Sequence, residues 1–236
     1  MPLDYLKCKI HDNELIQQVW DNPILEFESK YEKRYDDLVY EVITRKFENL
    51  FFVKHPNRLE ISGSIHYFFN DGLHNANDFY IEDCIETINY IRDLFKLDLN
   101  KCFLVNLEYG VNILPSILIS ELILNLIYHE RHPFIRNTEH NEYRISRNSK
   151  YKQVKGYAKG VQFPHFCNPN IFRFEVKTGE AKFIKRLGIL TLQDLTNFDN
   201  YEVLMTSLLK EWDNVLLFDK SKNIDKKFLN TNFWEE

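Results

Sequence analysis

Alternation of apolar and polar positions dominates the middle of the chain. The run Leu59-Glu60-Ile61-Ser62-Gly63-Ser64-Ile65-His66-Tyr67-Phe68-Phe69 predicts a half-buried strand over 59–69, and Asn70-Asp71-Gly72 predicts a turn after it. Leu38 to Val53 is also β-like, and Cys102–Leu114 is a second strong strand that Pro115 stops. Helical spacing places Ile81, Ile85, Ile88, Ile91, Leu94 and Phe95 on one face, so a helix is expected to about Lys96, capped by Asn77 or Asp78. Weaker helical patterns cover 12–20, with Asp12 as its cap, and 24–35. An apolar helix is expected from Ser116 to about Glu130.

Three short strands follow at 143–147, 151–157 and 171–177, then a helix over 180–187 closed by Gly188, and a last helix over about 200–213. The late strands lie too close together for crossover helices. The fold class expected is therefore α+β, with a largely antiparallel central sheet, flanking helices, and 151–157 beside 171–177.

Composition narrows the function classes. The 236 residues are 44% hydrophobic and 15% aromatic, with 19 Phe and 13 Tyr, which suits a sheet with a thick core. Seven glycines leave no phosphate-cradling glycine loop, so nucleotide-dependent chemistry is not expected. Four scattered cysteines fit neither a zinc ribbon nor a redox pair. With no leader and no apolar run of membrane length, a cytoplasmic protein with no membrane association is expected.

Charge is uneven. Residues 142–186 hold eleven Lys and Arg against three acids, a net +8 in a chain of net −5, leaving −13 for the remainder. Aromatic residues interleave with these cations. Cations match phosphates and flat rings match bases, so this stretch is a candidate surface for single-stranded or hairpin DNA, with Arg144, Arg147, Lys150, Lys152, Arg173 and Lys177 as binding residues. An ordinary basic sheet face with buried rings would look the same.

Strand parity then gathers candidate chemistry. Asn106, Glu108, Gly110 and Asn112 share one face of their strand. Lys155, Tyr157 and Lys159 share a face of the next, and Arg173, Glu175 and Lys177 of the third. Glu108 and Glu175 with Asn112 offer hard oxygen ligands for Mg²⁺ or Mn²⁺. Lys155 and Lys159 flank Tyr157, and nearby cations lower a phenol's pKa, as a tyrosine attacking a phosphodiester requires. Cross-strand salt bridges on a wet face are the plain alternative.

The succession of an acid-bearing strand Asn106–Ile113, then Lys155-Gly156-Tyr157-Ala158-Lys159, then Arg173-Phe174-Glu175, resembles the Rep_trans-type initiators of rolling-circle replication in plasmids and phages. Gly188-Ile189, Thr191-Leu192 and Asp194-Leu195 resemble the family's continuation. The resemblance spans roughly 58–218. It implies an initiator-like domain there, an N-terminal helical/β extension over 1–57, and a tail over 219–236 on what resembles a shortened relative.

The resemblance also implies a DNA nicking and joining endonuclease. Tyr157 would attack the DNA, leaving a 5′-phosphotyrosine link and a free 3′-hydroxyl, with a divalent cation at Glu108, Glu175 and Asn112. DNA and a second copy of the chain are the candidate partners. Ala158 and Asn112 stand where the family commonly has acids. An inactive DNA-binding relative therefore stays open, as does a phage or mobile-element interaction protein whose acidic remainder binds a basic partner.

Among the histidines, His66 is expected on a wet strand face, and His129 and His132 at a helix C-terminus, where the dipole favours them.

Overall fold

The computed structural model describes residues 3–35, 38–136, 143–147 and 151–218. Its strands are β1 (Leu3–Ile10), β2 (Glu26–Tyr35), β3 (Leu38–Phe47), β4 (Leu50–His55), β5 (Arg58–Ser64), β6 (Phe103–Ile113), β7 (Leu126–His129), β8 (His132–Pro133), β9 (Ile135–Arg136), β10 (Tyr143–Arg147), β11 (Lys152–Ala158), β12 (Phe172–Thr178) and β13 (Val215–Leu217). The helices are α1 (Asn13–Trp20), α2 (Ile65–Phe69), α3 (Ile81–Phe95), α4 (Ile119–Asn125), α5 (Lys159–Gln162), α6 (Ala181–Arg186) and α7 (Asp199–Asp213).

Ten strands form one antiparallel sheet in the order β2-β3-β4-β5-β1-β6-β12-β11-β10-β9, and β13-β7-β8 form a small second sheet. The α+β class and the antiparallel sheet are as expected, and β11 and β12 are neighbours. The expected boundary near residue 57 falls between β4 and β5, which pair with each other. The N-terminal β1 lies at the centre of the sheet, between β5 and β6. The tail over 219–236 lies outside the described residues.

Several elements differ from the sequence reading. Residues 26–35 are a strand, because their alternation finds nine register partners along β3 and this outweighs a weak helical pattern. The strand expected over 59–69 ends at Ser64, whose hydroxyl accepts from Tyr67 N at 3.1 Å and so caps α2. The helix expected to Glu130 stops at Asn125. His129 and His132 then face each other across the β7–β8 hairpin, not at a helix end.

Helices α6 and α7 pack on β6 and β12. Trp212 of α7 meets Phe174 edge-on at 5.0 Å, and the hydroxyls of Tyr109 and Ser207 lie 2.9 Å apart. Toward the β4 edge, on the same face of the sheet, Phe95 of α3 packs at 4.7 Å against Phe52 of β4, within the same continuous core. Phe172, Phe174 and Val176 thus point into the core, as parity requires, and Arg173, Glu175 and Lys177 point to the opposite face of β12. Among the described residues no helix is long and apolar enough to cross a membrane.

Candidate active site

A bulge in β1 supplies the first acid. Leu3 pairs with Tyr109 and Leu6 with Leu107, so β1 spends one more residue than β6 over the same span. Both leucines are buried, and Asp4 and Tyr5 lie between them. The extra residue turns Asp4 away from the core, a common use of bulges near functional sites. Asp4 accepts from Ser64 Oγ at 2.7 Å and from Asn75 Nδ2 at 2.9 and 2.8 Å.

Glu108 of β6 and Glu175 of β12 complete a buried cluster in which one oxygen from each of Asp4, Glu108 and Glu175 lies within 4.8 Å of the others. Gly110 makes room for it. A Cβ there would stand 2.4 Å from the Phe174 carbonyl oxygen and 2.7 Å from Glu175 Cγ.

Three cations face the three carboxylates. Lys155 Nζ lies 2.6 Å from Glu108 Oε2 and 3.6 Å from Glu175 Oε2, and Lys177 pairs with the other oxygen of Glu108. Arg173 lies 3.5 Å from Glu175 and 3.7 Å from Asp4. It also donates to Asn112 Oδ1 at 2.7 Å and to the Asn75 carbonyl at 2.6 Å. Burial alone would raise Asp4, but Arg173, Asn75 and Ser64 outweigh it and hold the carboxyl below its ordinary value. Burial raises Glu175, against the pull of Lys155 and Arg173.

Tyr157 is buried, and its hydroxyl donates to Glu175 Oε1 at 2.9 Å. Burial, and then the charge of Glu175, push the phenol well above its ordinary value. The lowering expected from the flanking lysines is not found, because both ammonium groups are engaged elsewhere. Lys155 turns to the carboxylates, while Lys159 donates to Asn75 Oδ1 and to Gln162 Oε1 at 3.1 Å. Burial, with Arg173 beside it, brings Lys159 down to about 7.

His66 is fully buried on α2 rather than on a wet strand face. Its ring stacks on Phe79 at 4.5 Å, and Nε2 lies 2.8 Å from Asn77 Oδ1. That oxygen also accepts from Asn70 Nδ2 at 2.8 Å, so Nε2 carries the hydrogen and donates. Burial, and then Arg173, pull His66 to about 4.

The expected DNA-binding cations separate. Arg173 is fully buried inside the site, because its guanidinium is the countercharge to Asp4 and Glu175 and offers no exposed contact to a phosphate. Lys152 points to the other face of β11, 2.9 Å from Glu130 and 2.7 Å from Glu211 of α7. Lys177 is partly exposed at the edge of the carboxylate cluster. Arg144 and Arg147 stand in β10 opposite Gly156 and Gln153, and Lys150 lies outside the described residues.

Asn112, expected as a metal ligand, is placed with its Oδ1 on Arg173. Sequence reasoning missed Asp4, Asn75 and His66. The one available signal was Leu3-Asp4-Tyr5-Leu6, an acid set inside a broken alternation.

Fold and site together define an α+β protein whose mainly antiparallel sheet carries a buried tyrosine–carboxylate centre. No family model matches the chain, and no curated protein matches it. Among solved structures it is similar to a rolling circle replication initiator protein from Geobacillus stearothermophilus, with 15% identity and a TM-score of 0.49, over 99% of this chain and 93% of that one.

Proposed function

We propose that the chain is a replication-initiator-like protein that nicks and rejoins single-stranded DNA, with Tyr157 as nucleophile and Asp4, Glu108 and Glu175 as the holders of Mg²⁺ or Mn²⁺. The observation that carries this reading is the 2.9 Å hydrogen bond from Tyr157 to a carboxylate of the three-acid cluster. A nucleophile and a base within hydrogen-bond reach are the minimum for an activated attack.

The donor set fits a hard divalent cation: three carboxylates, buried, with oxygens close enough to share one ion. Bound there, the cation would polarise the scissile phosphate. In the attack the Tyr157 oxygen forms a bond to phosphorus, its proton passes to Glu175, and the bond from phosphorus to the 3′ oxygen breaks. Lys159, at about 7, is a proton source for the departing 3′ oxygen. Reversal of the same step rejoins the strand.

A second reading is a DNA-binding relative without nicking activity. Lys155, Lys177 and Arg173 already neutralise the three carboxylates, and this favours it.

The test is a labelled single-stranded oligonucleotide with Mn²⁺, scored for an SDS-stable covalent adduct. The wild type forms it and Tyr157→Phe does not, while both bind DNA. DNA binding without any adduct supports the second reading. No binding even at about 50 mM salt, where phosphate contacts are strong, ends both.

A further inference from the structure

We infer that the ring-lined rim beside Tyr157, built from Phe163, Phe166, Tyr67 and His74, stacks unpaired bases next to the scissile phosphate. The inference rests on the reading of the site proposed above.

Two segments make the rim. One follows α5 and leads to β12, and the other is α2 with the turn after it. Lys159 links the rim to the centre, its Nζ lying 5.6 Å from the Tyr157 ring and 4.5 Å from the Phe163 ring. Phe163 meets Tyr67 edge-on at 6.2 Å. Farther along, Phe166 lies 4.0 Å from the His74 ring at an interplanar angle of 32°, yet it is 46% exposed. Leu73 beside His74 is 68% exposed, and Val161 and Phe69 are exposed as well.

Contacts other than the rings also hold the segment. Asn170 ties it down by accepting from Ile119 N at 2.8 Å and donating to the Ile117 carbonyl at 3.1 Å. Gly160 packs so tightly beneath it that a Cβ would stand 2.1 Å from the Asn168 carbonyl oxygen. A half-exposed phenylalanine on a segment anchored by other contacts marks a binding surface better than a core. Exposed ring faces beside a phosphodiester-attacking tyrosine fit an unpaired nucleotide. Every base offers a face to stack, whereas a duplex keeps its faces covered.

The probes are oligo(dT), the matching abasic phosphodiester chain and a duplex, measured by fluorescence anisotropy with the full chain. Phe166→Ala should weaken oligo(dT) binding about tenfold, in line with the loss of one stacked base, and Phe166→Trp should restore it. Binding of the abasic chain and the duplex should be unchanged by either substitution. If Phe166→Ala binds oligo(dT) as the wild type does, or loses the abasic chain equally, the ring does not touch bases and the inference falls alone. If the wild type binds no oligo(dT) at low salt, the proposed function falls with it.

Discussion

Tyr157 and Glu175 sit one step apart on the diagonal of the β11–β12 pair: Lys155 is opposite Glu175, Tyr157 is opposite Arg173, and the Tyr157 hydroxyl reaches across to Glu175 Oε1 at 2.9 Å. The contact keeps the phenol protonated until the carboxylate takes the proton. Glu175→Gln preserves a hydrogen-bond partner but removes the base. Adduct formation should fall by about 100-fold or more, the usual scale for general-base loss, with oligonucleotide affinity within about twofold of wild type. Unchanged single-turnover adduct rates in Glu175→Gln would remove the base assignment.

Lys155 occupies the place a cation would want. Its ammonium lies 2.6 Å from Glu108 and 3.6 Å from Glu175, inside the cluster that would hold the metal. Binding a divalent ion means displacing that charge, because like charges at such distances repel strongly away from bulk water. Lys155→Gln should therefore raise Mn²⁺ affinity, by about tenfold, whereas Asp4→Asn should lower it. Calorimetric titration separates these outcomes, and equal affinity in wild type and Lys155→Gln would mean that no ion shares Glu108 and Glu175.

The parity of β11 and β12 was legible because both strands run without a bulge, so alternate residues stay on one face and Lys155, Tyr157, Arg173 and Glu175 meet as spacing predicts. The third acid was not legible. Asp4 lies on a bulged strand, where strict alternation would put it on the face of Leu6. His66 was assigned to a strand because Ile65–Phe69 continues the apolar pattern, and only the Ser64 cap diverts the chain into a helix. Charge likewise could not say which cations are covered. Lys152 has the composition of a surface residue, yet α7 brings Glu211 over it.

Acid should weaken the fold through His66. The ring is buried neutral and titrates at about 4, against 6.5 for an ordinary histidine. Between those values the unfolded chain binds a proton that the folded chain refuses. Stability from this group is therefore complete above about pH 6.5 and is lost as the pH falls toward 4, by up to about 3 kcal/mol. His66→Gln keeps a donor for Asn77 and removes the titration. Denaturant midpoints of the variant should change less between pH 6.5 and 4 than those of the wild type, and parallel curves would show that His66 is not the group responsible.

Gly110 fixes the distance between the two strands that carry Glu108 and Glu175. An added Cβ would meet the Phe174 carbonyl oxygen at 2.4 Å, and that atom belongs to backbone that cannot swing away. Gly110→Ala should force β6 and β12 apart, costing about 3 kcal/mol by overpacking and weakening Mn²⁺ binding, because the shift falls between two of the three acids. Gly72 is the control. It has a φ of +75°, and an added Cβ there would have nothing within 4 Å, so Gly72→Ala adds only backbone strain of about 1–2 kcal/mol. Thermal denaturation should rank Gly110→Ala as the less stable of the two, and Mn²⁺ titration should find Gly72→Ala indistinguishable from wild type. A Gly110→Ala protein that melts and binds Mn²⁺ as the wild type does would show that the β6–β12 spacing does not set the carboxylate cluster.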